Sequence, residues 1–245
     1  MKVVVDGVVY QEQSKGGISR IYKEILPIMC DMDESLRIKF LVPKKPKQSF
    51  PQHPHIKHCH IPELELYLRP NRLWGPLIPR AKWLARRLCT GRGKGQIWHS
   101  THFTMPEIWD GLQIVTVHDM IYEHFADLFN TPWDDQFRKQ RRACIQKADA
   151  LICVSETTRQ NLQRLHKIDS NSVYVVHNGY SNIFRQLEQQ VSVLESPVKM
   201  PFLLYVGDRN HYKNADRLLQ AYSVWKHRKK VALVVVGGQW KADEE

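Results

Sequence analysis

The chain of 245 residues is poor in cysteine, with five scattered at Cys30, Cys59, Cys89, Cys144 and Cys153. The number is odd, the spacing wide, and no C-x-x-C or Cys/His ligand pattern occurs, which excludes a disulfide framework or a structural zinc site and predicts reduced thiols. Met1 and Lys2 lead directly into Val3-Val4-Val5-Asp6, a buried-strand pattern rather than the apolar run of a secretion signal. No stretch approaches the ~20 apolar residues that span a bilayer. These absences predict a cytoplasmic protein, free to lie against the inner face of a membrane. There is no repeat of about 20–50 residues and no low-complexity tract. No G-x-G-x-x-G follows a strand-like run, which argues against a nicotinamide oxidoreductase. No helix-turn-helix, zinc-finger or RRM-type aromatic motif is present, so nucleic acid is not an expected partner.

What is there is ordinary globular composition, 42% hydrophobic and 25% charged, enough to bury a core. The net charge of +11 is unevenly placed. Acids are missing from Leu66 to Pro106, where Arg69, Arg72, Arg80, Lys82, Arg86, Arg87, Arg92 and Lys94 crowd together. Trp74, Leu77, Ile78, Trp83, Leu84 and Leu88 interleave with them. Two readings stand for residues 66–94: a solvated basic helix, or a face that contacts anionic lipid with tryptophan at headgroup level.

Short β-branched runs alternate with longer helical patterns, the signature of a doubly wound parallel α/β sheet. The runs are Val3–Val5, Ile38–Val42, Ile97–Ser100, Ile114–Val117, Ala150–Val154 and Val173–Val176. The first helix follows a Gly-Gly pair, with Ile18, Ile21, Ile25, Leu26 and Met29 expected on one apolar face. Further helices are expected at Pro132–Ala148 and at Ser155–His166, with Ser155 as N-cap. Residues 43–58, rich in Pro, Lys and His, read as a surface loop. The expected organisation is a Rossmann-like domain over 1–177, an interdomain linker over 178–200, and a second, incomplete Rossmann-like domain over 201–245. In that last part Phe202–Val206 and Val231–Val236 read as strands flanking a helix at Asn214–Lys226. A single β-α-β unit cannot cover both faces of a parallel sheet.

Three features carry chemistry. The loop Lys15-Gly16-Gly17-Ile18-Ser19 opens a helix, where bare backbone N–H groups can face an anion; a tight turn is the alternative. His118 and Asp119 stand at the carboxyl end of a buried strand, where α/β sheets bind ligands. There an imidazole can serve a bound hydroxyl, or simply satisfy a backbone carbonyl. Third, Tyr205-Val206-Gly207-Asp208-Arg209 leads to Lys213 and Asn214 at a helix start, a geometry for gripping a diphosphate with two cations and backbone N–H groups.

Taken in order, Gly16-Gly17, Val117-His118-Asp119, the stretch Ala148 to Glu156, Val176-His177-Asn178-Gly179 and Gly207-x-Arg209 with Lys213-Asn214 resemble glycosyltransferase family 4 across essentially the whole chain. The resemblance implies a GT-B fold and a retaining transferase that moves a sugar from a nucleotide-sugar donor to a glycan or lipid-linked acceptor. It implies that Gly16 and Gly17 line the donor cleft, that His118 and Asp119 are the catalytic residues, with His118 contacting the transferred sugar, and that Asn178 and Gly179 lie at the interdomain cleft. Gly207, Arg209, Lys213 and Asn214 would hold the donor diphosphate. No metal and no other cofactor is implied. The family's Glu-x7-Glu motif is not found after Lys213, so a catalytically inactive remnant that at most binds acceptor or membrane is the second expectation.

Overall fold

The computed structural model describes residues 1–12, 16–42, 46–60, 84, 88–106, 108–181, 198–209 and 211–237. The chain divides into two compact units, Met1–His124 with Thr131–Gly179, and Phe125–Asn130 with Tyr180–Glu245.

The first unit is built on one seven-stranded sheet. Its strands are β1 (Lys2–Asp6), β2 (Arg37–Val42), β3 (Ile56–His60), β4 (Ile97–Ser100), β5 (Leu112–Val117), β6 (Ala150–Cys153) and β7 (Val173–Val175). They lie in the order β3-β2-β1-β4-β5-β6-β7, and every neighbouring pair is parallel. Parallel neighbours need crossovers, which put helices over the faces and make central strands apolar on both sides. β1 shows the result. Val3 and Val5 face Tyr10, Tyr22 and Leu26, while Val4 faces Leu41 and Trp98 on the opposite side. A second core lies under Val115, Val117, Leu151 and Cys153, closed by Phe137, Ile145 and Leu162.

The helices of this unit are α1 (Val9–Glu12), α2 (Gly17–Met32), α3 (Ile121–His124), α4 (Pro132–Lys147) and α5 (Glu156–His166). α4 begins with a capping box: the Thr131 hydroxyl accepts from the Asp134 N–H, and the Asp134 carboxylate accepts from the Thr131 N–H. Ser155 caps α5 as its sequence position predicts, its hydroxyl accepting from the Thr158 N–H. Two expectations need correction. The stretch 43–58 is not all loop, because Ile56–His60 pairs with β2 as an edge strand. Its Ile-Lys-His-Cys-His sequence carries only one strongly apolar side chain, so the β signal is weak there. The apolar face predicted for α2 is also rotated. The helix buries Ser19, Tyr22, Leu26 and Cys30, and leaves Ile25, Ile28, Met29 and Met32 exposed.

The second unit contains β8 (Phe202–Val206), paired in parallel with β9 (Ala232–Val236), and α6 (Ala215–Val224) between them. These three elements match the expected β-α-β pattern. The linker residues 182–197 and most of the basic stretch, 66–83 and 85–87, lie outside the described residues, as does Lys15. No helix among the described residues is long and apolar enough to cross a membrane.

Candidate functional site

In the first unit the strand order turns outward in both directions from β1 and β4, so the loops leaving these two strands part company. Such a switch point opens a crevice at the carboxyl edge. Asp6, at the end of β1 and 5% exposed, spans it. Its carboxylate accepts from the Thr101 N–H (2.7 Å), the Thr101 hydroxyl (2.6 Å), the Thr104 hydroxyl (2.6 Å) and the Val8 N–H (3.2 Å). A buried charge needs this many donors. The consequence is a fixed loop after β4, in which Phe103 holds a left-handed φ of 54° while 1% exposed.

His118 leaves β5 at the same edge, and His99 stands near the end of β4. Tyr22 of α2 packs edge-on to both rings, 5.6 Å from His99 and 6.2 Å from His118. His99 Nε2 shares a 2.9 Å hydrogen bond with the Thr116 hydroxyl. Burial lowers both imidazoles from 6.5 to about 4; Asp6 partly opposes this at His99, and Asp119 does so at His118. Both rings are therefore neutral at pH 7. His118 Nε2 is buried and has no hydrogen-bond partner among the described residues. A buried polar atom left without a partner calls for one, and a ligand hydroxyl fits a neutral imidazole nitrogen.

Asp119 plays a different part. Its carboxylate accepts from the Ile121 N–H at 3.1 Å, shaping the turn into α3, and lies 4.0 Å from Arg141. Arg141 of α4 is 3% exposed and forks onto both oxygens of Glu123 at 2.9 and 3.0 Å. It also donates to the Asp119 carbonyl at 2.8 Å and lies 4.1 Å over the Phe103 ring. One guanidinium thus ties the loop after β4 and the loop after β5 to α4. The resulting frame fixes where His118 sits.

Gly16 and Gly17 open the 16-residue α2. Gly16 has an extended φ of −179° that any residue adopts, and no side chain caps the helix there. A Cβ on Gly17 would meet nothing within 4 Å, so no packing there demands a glycine. Tyr22 lies five residues on, about 7.5 Å along the axis, so the same helix reaches both histidines. Asn178 and Gly179 follow β7 and are exposed. The Asp31-Met32-Asp33 triplet sits at the opposite, amino edge of the sheet, where Asp31 contacts His53 and Asp33 accepts from Ser35.

The second unit gathers its own set. Gly207 follows β8 with a φ of 144°, a conformation that favours glycine, and a Cβ there would stand 3.5 Å from Lys213 Nζ. Arg209 donates to the Gly237 carbonyl at 3.1 Å, bracing its guanidinium against the end of β9. Asn214 occupies the N-cap position of α6 in a left-handed conformation, φ 53°, and its side chain caps nothing. The helix start thus has no side-chain cap from Asn214, with Lys213 directly before it and Arg209 in the loop leading to it, at the carboxyl edge of β8 and β9. That combination suits a diphosphate.

Sequence reasoning passed over Asp6, His99 and Arg141. The first two ended apolar runs with a polar residue, the same signal that marked His118; Arg141 lay among other helical bases and gave none.

A parallel sheet with ligand groups at its carboxyl edge, followed by a second β-α-β unit with a cationic loop, defines a GT-B type protein. Residues 35–181 match the model of Glycosyltransferase Family 4. The chain belongs to glycosyltransferase family 4. It is similar to the O-antigen chain mannosyltransferase RfbU of Salmonella typhimurium, 23% identical over 143 residues, covering 58% of this chain and 37% of that protein. Among solved structures it is similar to WaaG, a glycosyltransferase involved in lipopolysaccharide biosynthesis. There the TM-score is 0.60 and the identity 17%, over 96% of this chain and 63% of the other. The E. coli trehalose-6-phosphate protein bound with UDP-2-fluoro glucose superposes with a TM-score of 0.53 and 12% identity, over the whole of this chain and 66% of the other. The chain thus spans less than two thirds of RfbU and WaaG.

Proposed function

We propose that the chain supplies the acceptor-side domain and the opening of the donor domain of a retaining glycosyltransferase. The donor is a nucleotide sugar and the acceptor a glycan or lipid-linked glycan of the cell surface, and no metal takes part. The observation that carries this is the cationic loop at Gly207: Arg209, Lys213 and the uncapped start of α6 meet at a strand edge where a glycine leaves room for phosphate oxygens. UDP-2-fluoro glucose, bound to a protein of similar fold, is the matching ligand chemistry.

The chemistry asked of these residues is simple. Breaking the bond from sugar to phosphate builds negative charge on the leaving diphosphate, and fixed cations with backbone N–H groups stabilise that charge more as it grows. His118, neutral at pH 7, offers Nε2 to a sugar hydroxyl, orienting the ring without adding a competing positive charge. Asp119, Arg141 and Glu123 hold the loop that follows His118.

Transfer of labelled sugar from UDP- and GDP-sugars to cell-surface glycan fragments tests the reading. Lys213→Ala should lower turnover on the order of a hundredfold or more, and His118→Ala should lower it similarly while leaving the melting temperature close to wild type. Wild-type turnover by both variants would overturn the site assignment.

A further inference from the structure

A cavity of about 210 Å³ lies in the first unit beside the switch point, lined by Val8, His102, Thr104, Trp133, Gln136, Phe137 and Gln140. Thr104 connects it to the crevice through its bond to Asp6. At its rim stands Trp133, which is 60% exposed although it is the largest kind of apolar side chain. Its indole is nevertheless fixed. It stacks on Phe137 at 5.1 Å with the planes 15° apart, and Tyr122 leans against it at 6.4 Å. An exposed ring held rigid presents a flat apolar face at little entropic cost. Around that face the lining offers the amide of Gln136, the His102 imidazole, and the oxygens of Gln140 and Thr104, whose own donors go to the Phe103 carbonyl and to Asp6; among the described residues it holds no carboxylate, lysine or arginine.

We infer that this cavity binds one neutral pyranose ring of the acceptor glycan, with Trp133 as the stacking platform. The inference rests on the transferase reading and names the substrate class at its acceptor side. Three observations select a sugar. The absence of fixed charge among the described lining residues disfavours a phosphate or nucleotide, which would call for cations. The volume falls below the ~300–1,000 Å³ typical of pockets for larger ligands, which suits a single ring. A pyranose has an apolar C–H face for the indole and a rim of hydroxyls for amides, and hydroxyls both donate and accept as carboxamides do. Trp133 and Gln136 are specificity-determining residues on this account.

The test needs no donor. Saturation-transfer NMR on the purified protein, with methyl α-mannopyranoside, methyl α-glucopyranoside and inorganic phosphate as probes, reads binding directly. The expected result is saturable binding of at least one glycoside, with its ring C–H protons most strongly saturated, and none of phosphate in this cavity. Trp133→Ala should weaken it roughly tenfold or more, Trp133→Tyr should restore most of it, and Gln136→Ala should weaken it less. Glycoside binding unchanged by Trp133→Ala, or no saturable glycoside binding, overturns the inference. So does phosphate that competes with a glycoside for the site. The two readings fail separately. A protein that transfers sugar with an unchanged acceptor KM in Trp133→Ala loses only this site. One that binds glycoside at Trp133 but transfers nothing loses only the proposed activity.

Discussion

β1 and β8 are alike as sequence, Lys-Val-Val-Val-Asp against Phe-Leu-Leu-Tyr-Val, and unlike in the fold. Val4 and Val5 of β1 are 1% and 0% exposed, whereas Leu204 and Val206 of β8 are 56% and 70% exposed. β1 has strands on both sides and packed side chains over both faces; β8 has β9 alone and α6 among the described residues. An apolar run specifies a strand, and its neighbours decide whether burial follows. The difference reaches function. His118 ends a strand packed on both sides, and the residue after it is tied to α4 through the Arg141 bond to the Asp119 carbonyl. The Gly207 loop stands on two strands among the described residues and is braced by the Arg209 bond to the Gly237 carbonyl.

The largest effect expected is at Arg141. Arg141→Met would leave the largely covered Glu123 carboxylate without its partner, a loss of about 3 kcal/mol. Thermal melting should fall by roughly 10 °C; an unchanged melt would mean that the fork does not hold the frame. Hydrogen exchange puts the comparison itself at risk. Amides of β8 and β9 should exchange roughly a hundredfold or more faster than those of β1 and β5, and equal protection would remove the contrast.

The histidines give a smaller, pH-dependent effect. Their folded values of about 4 lie below the ordinary 6.5, so between these two the unfolded chain binds more protons. Stability should therefore be full above pH 6.5 and decline as the pH falls towards 4. His118→Gln should flatten that decline, as read from melting temperature against pH, and an unaltered profile would show that His118 titrates normally. The smallest contrast lies within α2. Leu26→Ala should cost about 2–5 kcal/mol, while Met32→Gln should stay within about 0.5 kcal/mol. Comparable losses would contradict the burial seen on that helix.

Much of this architecture could be read from residues alone. Ser155 ahead of its helix and the repeated Val/Ile runs each carry a local physical signal, and the cap and strands they announce are formed. What escaped lacked such a signal. α2 reads as amphipathic through its isoleucines, yet the sheet selects the face with Tyr22 because an aromatic ring there fills the gap between His99 and His118. β3 has too few apolar residues to announce itself. Arg141 is one base among several on α4, and only the fold shows that it is buried. Trp133 reads as an ordinary early-helix residue until its stack on Phe137 and the adjoining cavity are seen.

Donor recognition by the Gly207 loop is the central claim, and calorimetric titration of the purified protein with UDP and GDP tests it most directly. The account predicts saturable binding of one of them, weakened roughly tenfold or more by Lys213→Ala and by Arg209→Ala alike, and unaffected by Trp133→Ala. Binding that ignores both cations, or no binding of either nucleotide, would contradict it.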